Sequence, residues 1–185
     1  MRFLDTALQG ALIIEPDAQS DGHGEVTWAL YERALRERGL EWRLTQTDVS
    51  EALSRHTLRG LHCRVGGVTG AKIVRCHQGQ MLNVIVDLRS GSPTFGQHEK
   101  VVLNADGGRM LYIPSGFADG FLTLEDDTKA EHRVSRHYST IAERGLRWND
   151  PRLAIAWPTR SPTLNGRDRA WPDLDSAMVV AEARQ

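Results

Sequence analysis

Arg59, His62 and Lys72 place a guanidinium, an imidazole and an ammonium on two neighbouring strand-like segments, Thr57-Leu58-Arg59-Gly60-Leu61-His62-Cys63 and Ala71-Lys72-Ile73-Val74-Arg75-Cys76. A guanidinium fork suits a phosphate, an imidazole moves protons near neutral pH, and an ammonium stabilises negative charge developing on oxygen. The set reads as an anion and proton-transfer site. Gly66-Gly67 and Gly70 mark the turn between the segments. Strict alternation would send Arg59 and His62 to opposite faces, because strand side chains have a period of two. Gly60 between them is where a bulge would bring both to one face. The plain alternative is a core strand with charges at its edge.

The elements that must position these groups are mostly strands. Ala11-Leu12-Ile13-Ile14 predicts a first strand, stopped by Pro16 and the polar run 19–24. From Glu25 to about Arg38 the recurrence of Trp28, Tyr31 and Leu35 predicts a helix, with Gly39 as its C-terminal stop. Strands are then expected at Lys72–His77, Gln80–Leu88, Lys100–Leu103, Arg109–Ile113, Gly120–Leu124 and Lys129–His137, with turn residues between them. A last helical turn or two is expected at Ser176–Ala183. Short strands at this spacing indicate a barrel or sandwich. In Gln80–Leu88 parity groups Leu82, Val84, Val86 and Leu88 on one face and Met81, Asn83, Ile85 and Asp87 on the other, one set for a ligand cavity and one for packing between sheets. In Lys129–His137 it groups His132 with Ala130 and Val134, pointing inward.

Composition narrows the function. A chain of 185 residues suits one domain with a sizeable core. With 23 basic and 24 acidic residues, a formal net charge of -1, it has no global field to draw it to nucleic acid or an anionic membrane. Phosphate binding must be local. No apolar run is long enough for a spanning helix, and the N-terminus has no signal-peptide pattern. Cys63 and Cys76 lie in apolar strand-like runs without Cys-x-x-Cys spacing, so neither a disulfide framework nor a zinc site is expected, and a reducing cytoplasm is the expected compartment.

Five motifs occur in order: Arg59-Gly60-Leu61-His62, Ser92-Pro93-Thr94-Phe95-Gly96, Ile113-Pro114-Ser115-Gly116-Phe117-Ala118, Glu143-Arg144-Gly145-Leu146-Arg147-Trp148-Asn149-Asp150-Pro151 and Asp168-Arg169-Ala170-Trp171-Pro172. Together they resemble the dTDP-4-dehydrorhamnose 3,5-epimerase family over nearly the whole chain. The resemblance implies a mainly β fold, a double-stranded β-helix (cupin, jelly-roll) barrel with a few short helices. It implies epimerase activity at C3, C5 or both of a nucleoside-diphosphate 4-keto sugar, without cofactor, by a homodimer. A ketone at C4 acidifies the neighbouring C–H bonds, so the reaction needs a base, an enolate stabiliser and an acid on the opposite face. By resemblance His62 is the base, Asp168 the carboxylate paired with it, Lys72 the lysine near the sugar and Arg59 a diphosphate contact. Gln46 and Tyr138 also fall at matching positions.

The chain departs from the family pattern at related places. The family's proton-donating tyrosine, followed by lysine, is here His132-Arg133; the histidine of Gly-Phe-Ala-His-Gly-Phe is Asp119; an aspartate is Asn83; an arginine is His23; and an asparagine near Gln46 is Asp48. His132, Asp119, Asn83 and His23 therefore join the candidate site, and the change at His132 suggests inversion at one carbon only. A metal-dependent cupin would need two histidines one residue apart on a strand, followed by a carboxylate; His62 stands alone in Leu61-His62-Cys63-Arg64, so no metal is expected. The alternative from another class is a catalytically degenerate sugar-nucleotide-binding cupin.

Overall fold

The computed structural model describes residues 1–20, 25–28, 32–40, 42–64, 70–136 and 143–174. Among them thirteen strands and two short helices run in the order β1 (Arg2–Asp5), β2 (Leu12–Glu15), β3 (Asp17–Ser20), β4 (Glu25–Trp28), α1 (Glu32–Glu37), β5 (Gln46–Leu53), β6 (Leu58–Arg64), β7 (Lys72–Gln78), β8 (Gln80–Asp87), β9 (His98–Asn104), β10 (Met110–Ile113), β11 (Phe117–Thr123), β12 (Thr128–Val134), β13 (Glu143–Gly145) and α2 (Gly166–Arg169). Two antiparallel sheets form, one ordered β1-β2-β10-β7-β12-β5 and the other β13-β6-β11-β8-β9, with β3 and β4 as a separate hairpin. This is the jelly-roll arrangement expected.

Alternation decides what each sheet face meets. Val74, Cys76, Leu111, Ile113 and Ala130 of the first sheet meet Met81, Ile85, Leu103, Phe117 and Phe121 of the second in one buried cluster between the sheets. Each Val, Leu, Ile, Met or Phe among them contributes about 1.5–3 kcal/mol by leaving water. The other parity set of β8, Leu82, Val84 and Val86, continues to Leu88 and lies beneath Leu146, Leu153, Ile155 and Leu174 of the C-terminal segment. The expectation that one parity set of β8 would line the cavity is corrected: neither does, because one face of β8 is core between the sheets and the other is covered by the C-terminal segment, and the cavity opens between β5, β12 and β7 on one side and β6 and β11 on the other.

The expected helix from Glu25 to Arg38 is corrected. Glu25–Trp28 is a strand whose Val26 and Trp28 pair with Gln19 and Asp17. Only Glu32–Glu37 is helical, packed through Leu35 against Ile14, Ile73 and Met110. A hairpin partner outweighed the weak helical periodicity. Gly39 does end the helix, at φ 71°, with Leu40 N donating to Leu35 O. The expected turn at Ser176–Ala183 lies outside the described residues, as do Gly66 and Gly67. No helix among the described residues is long and apolar enough to cross a membrane.

Candidate active site

β6 carries the irregularity that Gly60 suggested. Opposite β11, His62 pairs with Asp119 and Arg59 with Phe121, so three steps on β6 match two on β11. The extra residue reverses the alternation, and Arg59 and His62 both line the same cavity. Only glycine fits at the bulge. A Cβ on Gly60, at φ 122°, would sit 2.6 Å from Gly120 Cα and 2.9 Å from the Asp119 carbonyl oxygen.

His62 turns Nε2 onto Asp168 Oδ1 at 2.6 Å. Asp168 is fully buried and is held from several sides. Its Oδ2 accepts from Gly60 N at 3.1 Å and from Asn165 Nδ2 at 3.0 Å, and Oδ1 also accepts from Trp171 Nε1 at 3.2 Å. Asn165 meanwhile caps α2 by accepting from Asp168 N at 2.7 Å. Burial works against the Asp168 charge; the bond and charge of His62 and the Gly60 and Trp171 donors outweigh it, so its pKa lies below the usual value.

Gly145 pairs with His62 and leaves the space that the Trp171 ring fills; a Cβ there would lie 2.2 Å from the indole. Buried Asp150 accepts from Leu174 N and Arg152 N, anchoring the segment that brings Asp168 and Trp171 back to β6. Two of the sequence motifs thus act as supports for the histidine. The Ser92-Pro93-Thr94-Phe95-Gly96 motif supports a different carboxylate: Ser92 and Thr94 hydroxyls and Arg89 all donate to buried Asp87.

The cavity in front of His62 has a volume of about 240 Å³. Lys72 reaches it from β7 and forms an ion pair with Asp119, which is 4% exposed. His132 faces it from β12, its ring 5.3 Å from that of Phe121. Burial pushes the His132 pKa down to about 4; Asp119 and Asp48 raise it in part, while Lys72 and His62 lower it further. The imidazole is neutral at pH 7. Arg59 lies at the rim and donates to Ser50 Oγ at 3.0 Å.

Of the other sequence candidates, Gln46 stands on β5 and donates to Asp48 Oδ1 at 2.7 Å. Asn83 is fully buried on β8, with neither side-chain polar atom bonded, behind the cavity wall rather than on it. His23 and Tyr138 lie outside the described residues. Asp48, Ser50, Arg64 and Phe121 also line the cavity. Parity could have found Asp48, since it pairs across the sheet with His132 and so shares its face.

A jelly-roll barrel with a buried carboxylate–imidazole pair opening into a cavity lined by an ammonium, two guanidinium groups and a second imidazole defines a cupin-type protein. The sequence profile of the dTDP-4-dehydrorhamnose 3,5-epimerase family matches residues 5–176, and the chain belongs to that family. It is 36% identical over 182 residues to dTDP-4-dehydrorhamnose 3,5-epimerase of Salmonella typhimurium, covering 97% of this chain and 99% of that one. The structure of the Bacillus anthracis dTDP-4-dehydrorhamnose 3,5-epimerase with TDP and PPi bound superposes with a TM-score of 0.89 at 37% identity, over 94% of this chain and 99% of that one. A 3'-monoepimerase from Streptomyces bikiniensis in complex with dTDP-quinovose gives 0.87 at 32% identity, over 96% and 92% of the two chains.

Proposed function

We propose that this protein epimerises a nucleoside-diphosphate 4-keto sugar, taking dTDP as its nucleotide and inverting one carbon beside the ketone. The observation that carries the reading is the His62–Asp168 pair at the wall of the cavity, in a chain that matches the family over nearly its full length. With Nε2–H committed to Asp168, the Nδ1 lone pair of His62 is the basic atom. It takes the proton from carbon, the C–H electron pair moves into the carbonyl, and the Lys72 ammonium stabilises the resulting enolate oxygen. Asp168 stabilises the imidazolium that forms. Arg59 binds the diphosphate with its fork, His23 is assigned a weaker contact to the same phosphates, and Gln46 is assigned to substrate binding.

A proton must then reach the opposite face of the same carbon. His132 is assigned that step in its protonated form, which at a pKa of about 4 is about one molecule in a thousand at pH 7. Exchange with retention therefore outruns inversion. An imidazole is also shorter than the phenol it replaces, which favours reach to one carbon. Tyr138 is the second candidate for the donor. The working unit is a homodimer in the cytoplasm, by family resemblance.

The test is incubation with dTDP-4-dehydrorhamnose in deuterated water, with deuterium located by NMR and mass spectrometry. Wild type should incorporate deuterium beside the ketone, and His62→Asn should not while still binding dTDP. Saturable dTDP binding without exchange in wild type would make the protein a binding module and refute the enzymatic reading.

A further inference from the structure

Asp119 lies directly across from His62 on the neighbouring strand, so the two side chains share one face of the sheet. Charged and titratable groups face it from every surrounding strand: His62 and Arg64 from β6, Lys72 from β7, His132 from β12 and Asp48 from β5. Burial opposes its charge, but Lys72, His132 and His62, with the hydrogen bond from Lys72, outweigh it and hold the carboxyl below the usual carboxylate range. A full negative charge thus stands in the wall of a cavity where an enolate would form. On its own that charge would oppose the reaction, so its use lies in the cations it holds. Lys72 carries its ammonium on a flexible four-carbon stem, and one of its three N–H groups is committed to Asp119, leaving two for a ligand oxygen.

We propose that Asp119 is a positioning residue for the reaction, fixing the Lys72 ammonium where the ketone oxygen binds and favouring the imidazolium that His62 becomes on taking the proton. This rests on the reading of the cavity as an epimerase centre. The carboxylate never touches the reacting carbon. It acts through Lys72 by a direct ion pair and on His62 through space.

The test compares wild type with Asp119→Asn, which keeps the shape and removes the charge, and with Asp119→Glu, which keeps the charge. In Asp119→Asn, kcat for deuterium exchange should fall about 10²–10³-fold with KM changed less than about threefold. Asp119→Glu, which can still pair with Lys72, should restore kcat in part. A second readout needs no substrate: acylation of Lys72 by an amine-reactive reagent, mapped by mass spectrometry, should be faster in Asp119→Asn because the amine is released from its ion pair. Unchanged exchange kcat and unchanged Lys72 labelling, with only a lower melting temperature, would make Asp119 a packing residue and overturn the proposal. Faster Lys72 labelling in a protein whose wild type never exchanges would remove the epimerase reading and leave the clamp standing.

Discussion

Replacing Asp168 by Asn should nearly abolish proton abstraction while leaving the fold intact, and the hydrogen bonds around it show why. The carboxylate accepts from His62 Nε2 and Trp171 Nε1 on one oxygen and from Gly60 N and Asn165 Nδ2 on the other. An Asn side chain must put its amide NH₂ at one of these positions. Beside Gly60 and Asn165 it would confront two donors, and Asn165 cannot turn because its Oδ1 caps the Asp168 backbone N–H. Beside His62 it confronts an imidazole that can shift its proton to Nδ1 and accept at Nε2. The second arrangement is cheaper, and it consumes the basic atom. The expected loss in exchange kcat is about 10⁴-fold, the size known for the same change in a histidine-orienting aspartate, or about 5.5 kcal/mol of transition-state stabilisation. Stability should drop by only about 1–3 kcal/mol, for one mismatched buried donor. The assay is deuterium incorporation into dTDP-4-dehydrorhamnose with kcat and KM resolved, beside Trp171→Phe, which removes one donor without changing the tautomer and should cost less than about tenfold. If Asp168→Asn exchanged within tenfold of wild type, the tautomer argument would fail.

Three further outcomes are expected. Gly60→Ala should destabilise the protein by about 3 kcal/mol or more, combining a contact 2.6 Å from Gly120 Cα with a backbone at φ 122°, and a urea midpoint close to wild type would contradict the bulge geometry. In wild type the ratio of inversion to exchange should rise as pH falls from 8 toward 5, whereas His132→Tyr should show a higher ratio at pH 8 with little pH dependence; identical ratios would remove His132 from the donor role. Acid should weaken the fold in two windows. His132 has its pKa depressed from 6.5 to about 4, so the unfolded chain takes up that proton first and stability declines between those values. Asp87, first opposed by burial but lowered more by Arg89, Ser92 and Thr94 from 3.8 to about 2, contributes about 2 kcal/mol that is complete above 3.8 and lost as pH falls through 2. Chemical denaturation across pH 7 to 2 should show both, and Asp87→Asn should lack the second.

Alternation along the chain was enough to assign faces. It put Val84 and Val86 on one side of β8 and Met81 and Ile85 on the other, and it turned His132 inward with Ala130 and Val134. Gly60 was legible as a bulge because a residue without a Cβ best tolerates the extra step that brings two side chains of opposite parity to one face. Those are local properties, set by backbone geometry within a few residues. Which groups become neighbours is not local. No spacing joins His62 to Asp168, 106 residues apart, and only the family resemblance paired them before the fold did. The Lys72–Asp119 ion pair spans 47 residues, and it depends on β7 and β11 lying in different sheets across one cavity. The helix expected over 25–38 gave way to β4 because a hairpin partner supplied backbone hydrogen bonds that periodicity cannot report. The neutrality of His132 is tertiary as well. Charge states follow from desolvation and from charges within a few ångströms, and a sequence carries neither until packing brings distant residues together.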